Sequence, residues 1–219
     1  MSSALVLIDK QPGWTSHDVV AKLRGILGTR KIGHAGTLDP LATGLLIICT
    51  GKFTKKINEI QAQEKEYTGT ILLGATTPSY DLETEVDQTF PTEHITEAVL
   101  QETLQQFTGE IFQKPPVFSA IKKDGKRLYE HARAGEEVEI EARKTTIYEF
   151  ELTRIALPEV DFRVKCSKGT YIRSLAYDYG KALQSGGHLT ALRRTKIGDY
   201  SIENAISPED FEKIINGEN

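Results

Sequence analysis

A carboxylate and an imidazole lie close together in one short loop of this sequence, which runs from Gly33 to Gly44 and reads GHAGTLDPLATG. Pro40 keeps the residue before it out of the helical region, so Asp39 is expected on a stiff, extended segment. The loop leads into the apolar run 45–49, which predicts a buried strand. Catalytic groups often occupy loops that a rigid scaffold holds. Asp39 and His34 are therefore candidate active-site residues, although turns are rich in the same residue types for purely local reasons.

Three further segments combine chemically active side chains with signals for turns or element ends. Residues 10–16 form a compact Pro/Gly turn that leads into a helix. Tyr67 stands at the start of a strand, and Tyr171 and Arg173 stand where a strand gives way to a helix. Taken one at a time, such residues can be half-buried strand aromatics or surface cations at a helix N-terminus.

The elements that must position these residues alternate irregularly, without evenly spaced βαβ units or internal repeats. This order predicts one α+β domain over residues 1–219, built on a large mixed, mostly antiparallel sheet flanked by helices and loops. The first helix is expected to have Ser16 as its N-cap and to end at Gly28. Further elements are predicted as strands at 5–8, 67–75, 138–155 and 160–166, helices at 96–107, 171–183 and 208–215, and a hairpin turn at 123–126.

Length and composition are those of an ordinary globular protein: the 219 residues are 39% hydrophobic and 26% charged. No apolar run approaches the roughly 18 residues of a membrane span, and the N-terminus lacks the features of a signal peptide. Cys49 and Cys166 lie in apolar strand-like contexts, so we expect reduced thiols and a cytoplasmic location without membrane contact. The histidines are scattered and the glycine-rich loop lacks the Lys-Ser/Thr end of a P-loop, so neither a metal nor a nucleotide cofactor is expected.

The charge distribution allows a local basic face on an acidic body. The net charge is −4 and the isoelectric point is about 5.8, which argues against a protein that coats nucleic acid by bulk electrostatics. The basic residues are nevertheless concentrated in four stretches of the sequence, as a selective RNA binder would need. Ordinary solvated surfaces can show the same pattern. The four stretches lie at 52–56, 122–127, 165–173 and 193–196.

Four of these segments, at 10–16, 33–44, 65–69 and 166–175, resemble the motif set of the TruB family of pseudouridine synthases. Order and spacing match from residue 5 to about 205. The resemblance implies the pseudouridine synthase fold and an enzyme that needs no cofactor. It also implies the reaction, in which uridine 55 in the T-loop of tRNA is detached from C1′ of its ribose and rejoined through C5 of the base.

The same resemblance implies three catalytic residues. Asp39 corresponds to the family's catalytic aspartate, which attacks C1′ of the sugar or C6 of the base, or stabilises charge while the glycosidic bond breaks; the sequence leaves these paths open. Arg173 corresponds to the arginine that pairs with this aspartate and orients it. Tyr67 corresponds to the tyrosine that stacks on the target base and can assist proton removal.

Further residues are implied in substrate binding. His34 corresponds to the residue that fills the space left by the flipped nucleotide, and Tyr171 and Leu192 would line the pocket. Residues 114–135 resemble a mobile segment that closes on the T-arm stem-loop of tRNA, and its cations would contact phosphates. The expected RNA contacts are Lys10, Lys122, Lys126, Arg127, Lys168 and Arg193.

One departure concerns the end of the chain. Many bacterial members of the family continue into a small PUA-like RNA-binding domain, whereas this sequence stops at Asn219. Either this is a naturally short form or the extra contacts are absent by truncation, and we expect a catalytic domain that binds tRNA more weakly. We also expect a monomer. Two alternatives remain: a module that binds or folds tRNA, and a related synthase that acts on another RNA or is guided by one.

Overall fold

The structure, a computed structural model, describes residues 3–119, 121–123 and 125–218. The chain divides into two compact units. The first unit contains the residues up to Thr68 together with those from Leu192 onward, and the second contains Gly69–Ala191.

The first unit begins with a sheet around one long buried strand. Its elements are β1 (Leu5–Lys10), α1 (Ser16–Leu27), β2 (Ile32–His34), β3 (Thr43–Thr50), a 3-10 helix (Gly51–Lys56), α2 (Ile57–Gln61) and β4 (Lys65–Leu73), whose last residues lie in the second unit. The apolar run of β3 pairs antiparallel with β1, from Leu5↔Cys49 to Lys10↔Gly44, and with β2 at His34↔Ile48. The start and end of the glycine-rich loop are therefore fixed in one sheet.

The N-cap of helix α1 lies one residue before the position that the sequence suggested. Thr15, not Ser16, is the N-cap: its side chain accepts a hydrogen bond from the Asp18 N–H, and the Asp18 carboxylate accepts one from the Thr15 N–H at 2.8 Å. Such a reciprocal capping box satisfies two backbone donors at once. Gly28 ends the helix in the left-handed conformation, as expected.

The second unit consists of antiparallel strands with three helices among its described residues. Its elements are β5 (Ala75–Thr76), β6 (Gln88–Thr89), α3 (Glu97–Gln105), β7 (Gly109–Gln113), β8 (Lys122–Lys123), β9 (Lys126–Arg127), α4 (Leu128–Arg133), β10 (Arg143–Ala156), β11 (Glu159–Cys166) and α5 (Ile172–Ala182). Strand β10 pairs with β11 on one side and β7 on the other. Alternate residues of β11 are buried, and the alternation is what a strand with one face on the core shows.

The predicted hairpin is confirmed by the pairing of Lys123 with Lys126, although Asp124 of its turn lies outside the described residues. The predicted strand 138–155 is wrong at its start, because β10 begins only at Arg143.

The chain returns to the first unit through a strand that the sequence analysis did not predict. This strand, β12 (Gly187–Ile197), is followed by β13 (Tyr200–Ser201), a 3-10 helix (Ile202–Asn204) and α6 (Pro208–Asn216). It lies parallel to β3 at Arg193↔Thr43 and Arg194↔Gly44. Among the described residues, nine strands belong to one mixed sheet, which confirms the α+β fold class. No described helix is long and apolar enough to cross a membrane.

Candidate active site

The residues around Asp39 form a short loop that leaves the buried core of the first unit and returns to it. We call residues 36–45 the Asp39 loop. Ala35, immediately before it, is fully buried and donates its N–H to the Ile47 carbonyl at 2.9 Å. At the tip, the Asp39 carbonyl accepts the Ala42 N–H at 3.0 Å, and Asp39 itself is partly exposed. The loop thus presents a carboxylate on a tight turn above a rigid strand.

Lys10 joins the Pro/Gly turn to the Asp39 loop. Its ammonium donates to the carbonyls of Trp14 at 2.7 Å, Gln11 at 3.0 Å and Pro40 at 3.1 Å. The residue is fully buried, so its three donors are used inside the protein. The structure therefore places this expected RNA contact in the interior, where it holds the residue next to Asp39; a phosphate would have to replace one of the three carbonyls.

Burial also changes the acidity of this lysine. Desolvation lowers the pKa of Lys10 to about 8, and the nearby carboxylate of Asp39 opposes the shift. The positive charge of Arg194 acts on the pKa of Lys10 in the same direction as burial.

The side chain of Ser16 fixes the other neighbour of Asp39. Its hydroxyl accepts the Leu38 N–H at 2.9 Å and lies 3.3 Å from the Leu38 carbonyl, to which it donates. Both hydrogen bonds are buried. The position that the sequence suggested as an N-cap thus ties helix α1 to the Asp39 loop.

His34 lies at the end of β2, just before this loop. Burial lowers its pKa from the ordinary value of 6.5, and the charge of Arg194 acts in the same direction. The imidazole is therefore neutral at pH 7, and its expected position behind a flipped nucleotide stays a prediction.

Tyr67 and Leu192 lie on strands of the same unit. Tyr67, on β4, is 9% exposed, so its ring is packed rather than solvated. Leu192, on β12, is partly buried. The Thr195 hydroxyl donates to the Glu66 carboxylate at 2.8 Å, so the residue before Tyr67 is attached to β12.

Arg193 is occupied by an acidic partner. Its guanidinium donates to the Asp9 carboxylate through two parallel contacts of 3.0 and 2.8 Å. Such bidentate pairs are specific and charge-assisted. An RNA phosphate would have to compete with Asp9, so the expected RNA contact of Arg193 stays a prediction.

In the second unit, Arg173 lies in the first turn of α5 and is 5% exposed. Its Nη1 donates to the carbonyls of Phe118 at 2.8 Å and Ser79 at 3.2 Å. The adjacent Ser174 hydroxyl donates to the Lys114 carbonyl at 2.7 Å. These contacts attach the residues that begin the predicted RNA-contacting segment to the start of α5.

Tyr171 is fixed through its backbone by a residue that no sequence motif indicated. The amide of Gln113, at the end of β7, accepts the Tyr171 N–H at 3.1 Å and donates to the Tyr171 carbonyl at 3.2 Å. Gln113 is 2% exposed, so both bonds are shielded. Lys168 is exposed in the turn between β11 and α5.

The cations of the hairpin lie on the surface of the second unit. Lys122, Lys126 and Arg127 are all exposed. Lys126 lies 3.5 Å from the Glu136 carboxylate, and the Arg127 guanidinium lies 5.9 Å from the centre of the Tyr129 ring. Exposed cations beside an aromatic ring can contact phosphates and bases.

The expected site residues thus fall into two sets, one in each unit. The pairing of Asp39 with Arg173, one residue in each unit, stays a prediction. In the part of the chain that the structure describes, no group of three or more His, Cys, Asp or Glu side chains could hold a metal ion. The first set contains Lys10, His34, Asp39, Tyr67, Leu192 and Arg193, and the second contains Lys122, Lys126, Arg127, Lys168, Tyr171 and Arg173.

Two family models match the sequence. The first describes the N-terminal domain of TruB family pseudouridylate synthases and matches residues 24–172. The second describes a C-terminal domain of tRNA pseudouridylate synthase B and matches residues 173–218.

Curated relatives are similar over almost the whole chain. The tRNA pseudouridine synthase B of Flavobacterium johnsoniae is 70% identical over 98% of this chain and 97% of the relative. The protein of the same name from Phocaeicola vulgatus is 57% identical over 94% of this chain and 91% of the relative. That of Thermobifida fusca is 49% identical over 96% of this chain and 75% of the relative.

Solved structures share the fold. A chain of a Cbf5–Nop10–Gar1 complex is similar with a TM-score of 0.74 and 31% identity, over 95% of this chain and 53% of the other. A chain of an H/ACA RNP bound to a substrate RNA containing 2′-deoxyuridine gives a TM-score of 0.72 and 30% identity, over 95% and 52%. The present chain therefore spans about half the length of these two chains.

Proposed function

Since this chain belongs to the TruB family of pseudouridylate synthases, we propose that it converts uridine 55 in the T-loop of tRNA to pseudouridine with Asp39 as the catalytic residue. The chain belongs to this family and is 57–70% identical to two curated enzymes over almost its whole length. It is therefore a tRNA pseudouridine synthase, an isomerase that acts on tRNA. The choice of nucleotide and of residue is the proposal.

The reaction needs a group that attacks the sugar or the base, or stabilises the charge that develops there, while the glycosidic bond breaks. The base leaves C1′ through N1, turns and rejoins C1′ through C5, and the hydrogen of C5 is lost while N1 gains one. The Asp39 carboxylate attacks C1′ or C6, or stabilises the charge that develops at the sugar. Each path requires one negatively charged oxygen at a fixed place.

The observation that carries the assignment is the way the Asp39 loop is held. The residues on either side of Asp39 are bonded through their backbones to buried side chains, Leu38 to Ser16 and Pro40 to Lys10. A group positioned in advance loses little entropy when the reacting atoms meet it. The buried contacts on both sides of Asp39 therefore support its assignment as the catalytic residue.

The remaining residues follow the family pattern. We assign stacking on the base to Tyr67, pocket walls to Tyr171 and Leu192, and the place of the flipped nucleotide to the neutral imidazole of His34. Arg173 is assigned to orient Asp39, an assignment that rests on the resemblance.

Binding of the T-arm is assigned to exposed cations of the second unit, Lys122, Lys126, Arg127 and Lys168. We further propose that the enzyme acts as a monomer, without a cofactor, as a single catalytic domain in the cytoplasm. The buried thiols of Cys49 and Cys166 support a reducing compartment.

The test is incubation of an unmodified tRNA transcript with the protein, followed by mapping of pseudouridine at each nucleotide. We expect product at position 55 with the wild-type protein. With Asp39→Asn we expect a rate below about one-thousandth of wild type, since loss of an essential catalytic group commonly costs that much or more. The tRNA dissociation constant should stay unchanged. Asp199→Asn, which changes an exposed carboxylate, is the matched control.

Other outcomes select among the alternatives. Product at a different nucleotide would replace the substrate assignment, and full activity of Asp39→Asn would remove the catalytic assignment. Binding and refolding of tRNA without any product would favour the chaperone function.

A further inference from the structure

One buried guanidinium contacts both ends of the Asp39 loop. Arg194, on β12, donates from Nη2 to the Gly36 carbonyl at 3.0 Å and from Nε to the Leu45 carbonyl at 2.8 Å. Its side chain is among the largest fully buried ones of the described chain, with 1% of the residue exposed. The eight residues between these two carbonyls include Asp39.

The backbone is built to bring this side chain between the loop ends. Gly44 has a φ of +103°, and a Cβ there would lie 2.3 Å from the Arg194 carbonyl oxygen, so only glycine permits β12 to approach β3 this closely. Gly36 has a φ of +98°, and a Cβ there would lie 3.4 Å from Nη1 of Arg194. Both glycines therefore lie against the residue that bridges the loop.

The bridge depends on the shape of arginine. The guanidinium is a planar fork with several donors in fixed directions, so a single side chain can bond two separate carbonyls. A lysine ammonium at the same place is a compact point charge and reaches the two acceptors less well. Its neighbour Arg193 points its charge at Asp9 instead, so the two consecutive arginines have different tasks.

We propose that Arg194 is a positioning residue for catalysis, which fixes the distance between the two ends of the Asp39 loop and thereby the place of the Asp39 carboxylate. The proposal rests on the assignment of Asp39 as the catalytic residue. It differs from the contacts of Lys10 and Ser16, which hold single positions within the loop, because Arg194 determines how wide the loop is at its base.

The test compares Arg194→Lys and Arg194→Ala with the wild-type protein, and Arg24→Lys, an exposed arginine of α1, is the matched control. The first readout is the single-turnover release of tritium from C5 of labelled uridine in tRNA, which reports the reaction at whichever nucleotide is modified. The second is the tRNA dissociation constant. The third is hydrogen exchange of the loop amides 37–44 beside those of β1 and β3.

We expect Arg194→Lys to fold, to bind tRNA as the wild type does, and to react on the order of tenfold to hundredfold more slowly, since small displacements of a catalytic group cost this much. Exchange should rise in the loop and stay unchanged in β1 and β3. Ethylguanidinium, which replaces the atoms removed in Arg194→Ala, should restore part of the rate, whereas it should leave Asp39→Asn inactive.

Two results would overturn the proposal. One is a wild-type rate in Arg194→Lys. The other is exchange that rises equally through β1, β3 and the loop in both variants, with a rate loss that follows the unfolded fraction; Arg194 would then be a core residue only. If Asp39→Asn were active while Arg194→Lys showed the expected loss, the assignment of Asp39 would fail and the effect of Arg194 on the reaction would stand.

Discussion

At the scale of single residues, the Asp39 loop is held by hydrogen bonds from side chains that lie far from it in the sequence. Glycine, proline and aspartate at close spacing indicate a stiff loop with a carboxylate. The supporting contacts run from side chains to backbone carbonyls across long separations, 30 residues for Lys10 to Pro40 and 158 for Arg194 to Gly36. No periodicity or motif encodes such a contact, since any carbonyl can accept it.

Lys10 gives a prediction of pH dependence at this scale. Its pKa is lowered to about 8 by burial, so the ammonium loses a proton in a range where an exposed lysine would keep it. The neutral amine has two N–H donors for three carbonyls, and the contact to Pro40, the longest at 3.1 Å, is expected to weaken. The single-turnover rate should therefore fall as the pH rises through about 8.

The measurement is the pH profile of the single-turnover rate from pH 6.5 to 9.5, a range of roughly three pH units around the shifted pKa of Lys10. Lys10→Met should be slower than wild type at pH 7 and should lack this alkaline decrease. Lys52→Met, at an exposed lysine, is the control and should keep the wild-type profile. A profile of Lys10→Met with the same decrease would assign the titration to another group.

At the scale of elements, helices with a clear apolar stripe were predicted within about two residues, because periodicity and caps act locally. Thr96 caps α3 and Ser207 caps α6 through side-chain bonds to the backbone. Strand β12 was missed, because its sequence GHLTALRRTKI mixes basic and apolar residues without alternation. Its register is set by long-range pairing with β3, where Gly44 permits close approach.

The hairpin β8–β9 and helix α4 contain a second titratable contact. His131 has Nδ1 bonded to the Glu136 carboxylate and Nε2 3.1 Å from the Lys123 carbonyl. Both partners are acceptors, so both ring nitrogens donate only in the charged form. The bonds to Glu136 and to the Lys123 carbonyl raise the pKa of His131, and the nearby Lys126 ammonium opposes the shift.

Because the folded-state pKa is raised, the stabilisation by this contact is fully present below the ordinary value of about 6.5 and is lost as the pH rises through the raised value. Limited proteolysis of residues 114–139 should therefore be slower at pH 6 than at pH 8.5. His131→Gln should reduce this difference, and His17→Gln, at an exposed histidine, should keep it. Equal pH dependence in all three proteins would show that His131 does not determine it.

At the scale of the whole molecule, the fold class and the family could be predicted because several motifs occur in order along nearly the whole chain. The two structural units could not, since one of them is made from both ends of the chain. The net charge alone does not predict which residues bind RNA. A protein with a net charge of −4 must bind tRNA through local basic regions. Several of its cations already have acidic partners.

An exposed cation that already binds two carboxylates is less available to an RNA phosphate than an exposed cation of the hairpin. Arg154 is exposed but donates to the carboxylates of Asp161 and Glu159 at 2.6 and 2.9 Å, whereas Lys122 is an exposed cation of the hairpin. A cation that neutralises one phosphate contributes about 0.7 to 0.9 to the slope of log K against log salt. Lys122→Ala should therefore lower the slope for T-arm binding by roughly that amount and weaken binding at low salt, with the single-turnover rate at saturation unchanged. Arg154→Ala is the control and should alter neither the slope nor the affinity. A lower slope in Arg154→Ala together with an unchanged slope in Lys122→Ala would show that RNA binds to the β10–β11 surface and not to the hairpin.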